Sequence, residues 1–106
     1  MNRFLAIFIR RNVQPLYKSE AGLLFLGAVL HGGEYLDLYV SADTGEYLSR
    51  YGNNPQDYGC MGRKEDIEAM GSKAPAKYLL AIKLHERYLS SKQYFPCAYK
   101  IQPVQR

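Results

Sequence analysis

Hydrophobic and polar residues along this chain fall into runs whose period changes from one segment to the next. Phe4 to Ile9 is apolar at every position, which predicts a strand buried on both faces and central in its sheet. Asn12 to Pro15 ends that run. Leu23 to Leu30 is a second apolar run, interrupted by Gly27. It predicts another buried strand, with a short buried helix as the alternative that periodicity alone leaves open.

His31-Gly32-Gly33-Glu34 supplies a turn, and Tyr35 to Ala42 then alternates. Leu36, Leu38 and Val40 point one way and Tyr35, Asp37 and Tyr39 the other. The two runs read as a hairpin. Asp43-Thr44-Gly45 is a second turn signal, and Glu46 to Tyr51 a return strand with Tyr47, Ser49 and Tyr51 on one face. One register of that strand gathers Tyr35, Tyr39, Tyr47 and Tyr51 on a single side of the sheet; the sequence leaves the register open.

Gly52 to Gly62 holds three glycines and Pro55 and reads as a loop. Arg63 to Met70 suits a short helix closed by Gly71, and Pro75 to Ser91 a long one. Helical spacing places Tyr78, Ala81, Ile82, His85, Tyr88 and Leu89 on one stripe. Leu79, Leu80 and Leu84 fall at or beyond its edges. Phe95 to Val104 alternates again, but Pro96 and Pro103 mark it as an edge strand or a short one.

The order predicts a single α+β domain over residues 1–106. Its expected architecture is an antiparallel sheet of four to five strands with one long and one short helix packed on one face. A strand apolar on both sides needs cover on both. The face away from the helices is therefore closed by loop residues or meets a partner.

Composition changes this picture little. The chain has 106 residues, 47% hydrophobic and 23% charged, as ordinary globular proteins do. The six apolar residues before Arg10 are too few for a secretory signal. The ten from Ala21 to Leu30 are about half a membrane span. A cytoplasmic protein with no membrane contact is expected. In such a setting Cys60 and Cys97 stay as reduced thiols.

Candidate chemistry is sparse. No phosphate-cradling loop, His-Glu-x-x-His or Cys-x-x-Cys is present. His31, His85, Cys60 and Cys97 are scattered over the chain without metal-ligand spacing, so neither a metal nor a cofactor is expected. Cys60, flanked by glycine and close to a helix start, is the one nucleophile candidate, and a Cys/His-dependent enzyme is the remote alternative. The bland reading is a small residue packed beneath a loop. His85 in the helix stripe reads as a neutral imidazole bonded to a tyrosine hydroxyl or a carbonyl.

Charge and aromatics narrow the function further. The net charge of +4 is divided as +3 over residues 1–20, −4 over 21–60 and +5 over 61–106. Five of the ten tyrosines lie between residues 35 and 58, in the acidic third. Tyrosine and arginine dominate many protein interfaces. The leading expectation is thus a non-catalytic domain that binds a protein through Tyr35, Tyr39, Tyr47, Arg50, Tyr51 and Tyr58. An adaptor or inhibitor fits, and phage and mobile elements encode many, which is a general prior rather than a reading of these residues. Cross-strand packing of the same tyrosines is the structural alternative. A second expectation is nucleic-acid binding through Arg10, Arg11, Lys73, Lys77, Lys83 and Arg87. It is opposed by the separation of these cations from the tyrosines. Leu80 and Leu84, off the helix stripe, suggest a homodimer seam.

Overall fold

The computed structural model describes residues 4–10, 13–15, 20–52, 54 and 56–103. Six strands form one sheet: β1 (Phe4–Arg10), β2 (Leu23–His31), β3 (Glu34–Ser41), β4 (Tyr47–Tyr51), β5 (Gly59–Gly62) and β6 (Cys97–Pro103). Their order across the sheet is β1-β6-β2-β3-β4-β5. Between β5 and β6 come helix α1 (Lys64–Ala69), a 3₁₀ turn (Gly71–Lys73) and helix α2 (Ala76–Ser90).

The α+β class and the long and short helices are as expected, but the sheet is mixed rather than antiparallel. β2 and β6 run parallel, with Gly27 opposite Cys97 and Leu30 opposite Lys100. A parallel neighbour requires a long crossover, and α1 and α2 provide it. They carry the chain from the β5 edge back across the sheet to the far side of β2. Gly59–Gly62, expected as loop, adds the further strand β5 against β4.

The β2–β3 hairpin forms where its signals stand. Gly32 and Gly33 have φ of +61° and +81°, the two positive angles of a type I′ turn that matches strand twist. Leu36, Leu38 and Val40 face the helices as expected. On β2 the alternation changes phase, because the register shifts between Phe25 and Gly27. A Cβ built on Gly27 would lie 2.8 Å from the Cys97 carbonyl oxygen and 3.3 Å from Leu84 Cδ1. Its φ of +154° also disfavours a side chain. The bulge thus lets β6 and α2 approach the sheet centre. Beside it, the Tyr94 hydroxyl donates to the Leu26 carbonyl at 2.5 Å.

The core lies between α2 and the face formed by Leu26, Val29, Leu36, Leu38 and Val40, with Ile67 of α1 completing it. Each such aliphatic side chain contributes about 1.5–3 kcal/mol on burial. On α2 the buried residues are Leu80, Ala81, Ile82 and Leu84. The stripe is therefore rotated toward the leucines: Leu80 and Leu84 are core, and the expected dimer seam through them is corrected. Tyr88 and Leu89, placed in the stripe by spacing, extend past the covered part of the sheet and stand exposed.

β1 and β6 exchange their expected positions. The strand with two prolines is internal, and the uninterrupted apolar strand is at the edge. Pro96 precedes β6 and Pro103 ends it, beyond the Cys97–Lys100 portion that pairs with β2. Neither proline therefore removes a bond from the parallel ladder. Opposite the helices, Val13, Ala28 and Ala98 are buried together with Phe25 and Tyr35 packed on them. The Val13 N–H donates to the Pro96 carbonyl at 3.0 Å. Loop residues thus close part of that face. Among the described residues no helix is long and apolar enough to cross a membrane.

Candidate functional site

The tyrosines of the acidic third are divided by strand register. Val40 pairs with Tyr47, Asp37 with Arg50 and Leu36 with Tyr51. Residues directly opposite share a face. Tyr47 and Tyr51 therefore join Leu36 and Val40 on the helix side, while Arg50 joins Tyr35, Asp37 and Tyr39 on the other. No single face collects the expected contact residues.

Burial removes three of them from the exterior. Tyr39 is fully buried, and Tyr47 and Arg50 keep 3% and 5% of their surface. Tyr35, Tyr51 and Tyr58 are half-buried. The expected Tyr/Arg contact surface is corrected accordingly. Their alternation is that of half-exposed strands, but Tyr58, from the loop before β5, packs over Arg50 and Tyr39.

What forms there is an interior polar cluster. Arg50 Nη2 donates to the Tyr39 hydroxyl at 3.1 Å, and that hydroxyl donates to Asp37 Oδ2 at 3.3 Å. The guanidinium carbon lies 4.6 Å from the centre of the Tyr58 ring and 5.4 Å from that of Tyr39. Tyr39 also packs edgewise on Tyr58 and tilted on Phe25, with centroids 6.0 and 5.6 Å away. Burial pushes the Tyr39 hydroxyl pKa up to about 12, against the lowering effect of the Arg50 bond. A buried cation held by a hydroxyl and two rings is a structural device.

On the helix side the Tyr47 hydroxyl lies 2.8 Å from His85 Nδ1, with the rings edge to face at 5.5 Å. Desolvation lowers the His85 pKa, and burial raises that of Tyr47. The lowered pKa favours a neutral imidazole, which shares one hydrogen bond with the Tyr47 hydroxyl through Nδ1. This is the tyrosine-bonded histidine that the helix stripe suggested.

The other expected groups stay apart. Cys60 is exposed and Cys97 buried, both as free thiols. Cys60 Sγ donates to Glu46 Oε2 at 3.3 Å, and its pKa is raised, first by desolvation. Those surroundings oppose thiolate formation. Among the described residues no group of three or more His, Cys, Asp and Glu could hold a metal ion. Lys83 and Arg87 stand one turn apart on the exposed side of α2, and Lys73 is exposed on the 3₁₀ turn. Lys77 instead borders a hollow with Val29, Leu30 and Ile101. The cations of the nucleic-acid expectation therefore do not form one row; Arg11 and the Arg10 side chain lie outside the described residues.

The exposed apolar surface is elsewhere. Leu89 and Phe95 keep 68% and 62% of their area and Tyr88 38%. With Lys92, Gln93 and Tyr94 they border a hollow of about 610 Å³ at the end of α2. Tyr88 packs edgewise on Tyr94, centroids 5.8 Å apart, and also borders a second groove of about 490 Å³ with Leu23, Leu24, Val40 and His85. Sequence reasoning assigned Tyr88 and Leu89 to the core and Phe95 to a strand. The signal that marks them is position: Phe95 follows the polar Ser90–Gln93 stretch and Tyr94 and stands directly before Pro96, and Leu89 precedes the Ser90-Ser91 helix end.

No protein-family model, curated protein or solved structure matches this chain.

Proposed function

We propose that this chain is a small non-catalytic protein-binding domain, an adaptor or inhibitor working in the cytoplasm. It holds its partner at the end of α2, where Tyr88, Leu89 and Phe95 receive an apolar side chain of the partner protein. The observation that carries this reading is the exposure of Leu89 and Phe95, both of which line one hollow. Apolar area left in water gains about 25 cal/mol per Å² when covered, and clustered exposed apolar groups mark contact sites. The test is capture from lysate by the wild type and by a Leu89→Ser/Phe95→Ser variant with an unchanged melting curve. A discrete protein retained by the wild type, resistant to nuclease and lost from the variant is the expected result. Equal retention by both overturns the reading.

Nucleic-acid binding is the second reading, favoured by one observation. Lys92 borders the same hollow as Tyr88, Tyr94 and Phe95, so here a cation stands among rings able to stack on bases. Capture that falls steeply between low and moderate salt, and disappears on nuclease treatment, identifies it.

A further inference from the structure

The hollow at the end of α2 carries charge of one sign. Lys92 is the charged residue in its lining, and no carboxylate lines it. From Arg87 to Pro103 the chain has Arg87, Lys92 and Lys100 and neither Asp nor Glu. Glu86, just before that stretch, is engaged by the Lys64 ammonium at 3.2 Å. Among the described residues no carboxylate lies within ion-pair distance of Arg87 or Lys92. Arg87 does not line the hollow, but Nη1 donates to the Tyr99 hydroxyl at 3.5 Å. Its charge also reaches Tyr94, where it opposes the rise that burial causes in the hydroxyl pKa.

This charge sorts the occupants. In a two-fold pairing of copies the same patch meets itself. Both sides would then bring cations and no anion, which opposes association. A nucleic-acid strand is held by several cations along its backbone and by rings that stack on its bases. Here Lys92 alone lines the hollow, and helical spacing turns Lys83 and Arg87 away from Leu89. Leu89, the most exposed of the large apolar residues, offers no ring to a base. An apolar side chain with a carboxylate beside it satisfies both parts of the lining.

We propose that the partner segment held at this hollow is acidic: it packs a leucine or aromatic side chain against Leu89 and Phe95 and sets a neighbouring Asp or Glu on Lys92. The inference rests on the protein-binding reading and gives its partner a chemical class. Covering the apolar anchor supplies affinity, and the charge selects among segments that carry such an anchor. The layout of charge along the chain agrees. Residues 61–106 carry +5 and residues 21–60 carry −4, so an acidic segment is drawn to the end of α2 and repelled from the strands that bear the acidic third.

The probe is a fluorescein-labelled Asp-Glu-Asp-Phe-Leu-Glu-Asp peptide, followed by anisotropy, with a counterpart in which every carboxylate residue is lysine. The acidic peptide is expected to bind the wild type about tenfold more tightly than the basic one. Lys92→Glu reverses that preference, and Leu89→Ser/Phe95→Ser removes binding of both peptides. Lys73→Glu makes the same change of net charge on the exposed 3₁₀ turn and leaves the preference as it is. All these positions are exposed, and unchanged melting curves confirm that the variants fold. Absence of binding, equal binding of the two peptides, or an equal response to Lys73→Glu and Lys92→Glu overturns the proposal. Capture from lysate that is still lost in Leu89→Ser/Phe95→Ser would in that case leave the protein-binding reading standing. Tighter binding of a single-stranded oligothymidylate, lost in Lys92→Glu, overturns the proposal by assigning the hollow to nucleic acid. A mass that doubles with concentration and returns to the monomer value in Leu89→Ser/Phe95→Ser overturns it by assigning the hollow to a second copy.

Discussion

The two faces of the sheet are closed by different physics. Toward α2 the cover is aliphatic: Leu26, Val29, Leu36, Leu38 and Val40 meet Leu80 and Leu84. On the far side the centre is a cation among rings, Arg50 between Tyr39 and Tyr58 with Asp37 opposite it in the ladder. Aliphatic packing degrades gradually as volume is removed. A buried charged cluster fails abruptly, because removal of one member leaves the others desolvated. Aromatic and charged residues on strands therefore do not by themselves indicate an outer surface.

Removing the cation should have the largest effect. Arg50→Ala is expected to lower stability by about 3–5 kcal/mol, since it leaves Asp37 buried without the guanidinium. Leu38→Ala, on the opposite face of the same strand pair, should cost about 2–5 kcal/mol as cavity and transfer loss. Urea unfolding of both separates them further: Arg50→Met, which keeps volume without charge, should recover little of the loss. Recovery to the wild-type value would mean that packing, rather than charge, closes the far side.

Hydroxyl removal sharpens the comparison on a smaller scale. Tyr39→Phe leaves Arg50 Nη2 and Asp37 Oδ2 each without a bond seen in the structure, and should cost about 1–3 kcal/mol. Tyr47→Phe removes one bond to the half-buried His85 and should cost about 0.5–1.5 kcal/mol. Denaturation midpoints that place the two in the reverse order would break the contrast between the faces.

The His85 contribution depends on pH. Its folded pKa lies below the ordinary value of 6.5, so the unfolded chain binds a proton more readily. Stability conferred by the neutral imidazole is present above 6.5 and is lost as pH falls through that value toward the lower folded one. Melting temperatures between pH 7.5 and 5 should fall more for the wild type than for His85→Gln. Parallel curves would show that the imidazole titrates alike in the folded and unfolded chains.

Much of this arrangement was legible in the chain, and the failures share a cause. The Gly32-Gly33 turn, the alternation of β3 and the extent of α2 follow from local rules, and each appears where its residues stand. The division of the tyrosines does not, because a register shift of one residue would move Tyr47 to the other face, and only the Val40–Tyr47 pairing decides it. β1 looks central by composition, yet strand order is set by the long crossover that inserts β6 beside β2. The helix stripe was centred too close to Leu89. Leu84 packs on the bulge at Gly27, a contact that helical spacing does not reveal. Tyr58 in its loop carries no pattern that announces the contact with Arg50. The exposed end of α2 was masked by the same error, since residues on a hydrophobic stripe are assigned to a core even where the sheet beneath them ends.

The most direct measurement is a photocrosslinking scan with a benzophenone amino acid placed singly at positions 35, 51, 58, 89 and 95, read out in lysate. Adducts to one protein species at 89 and 95, with none at 51 and 58, are what the account predicts. Adducts confined to 51 and 58 would return the contact surface to the tyrosine-bearing strands and contradict it.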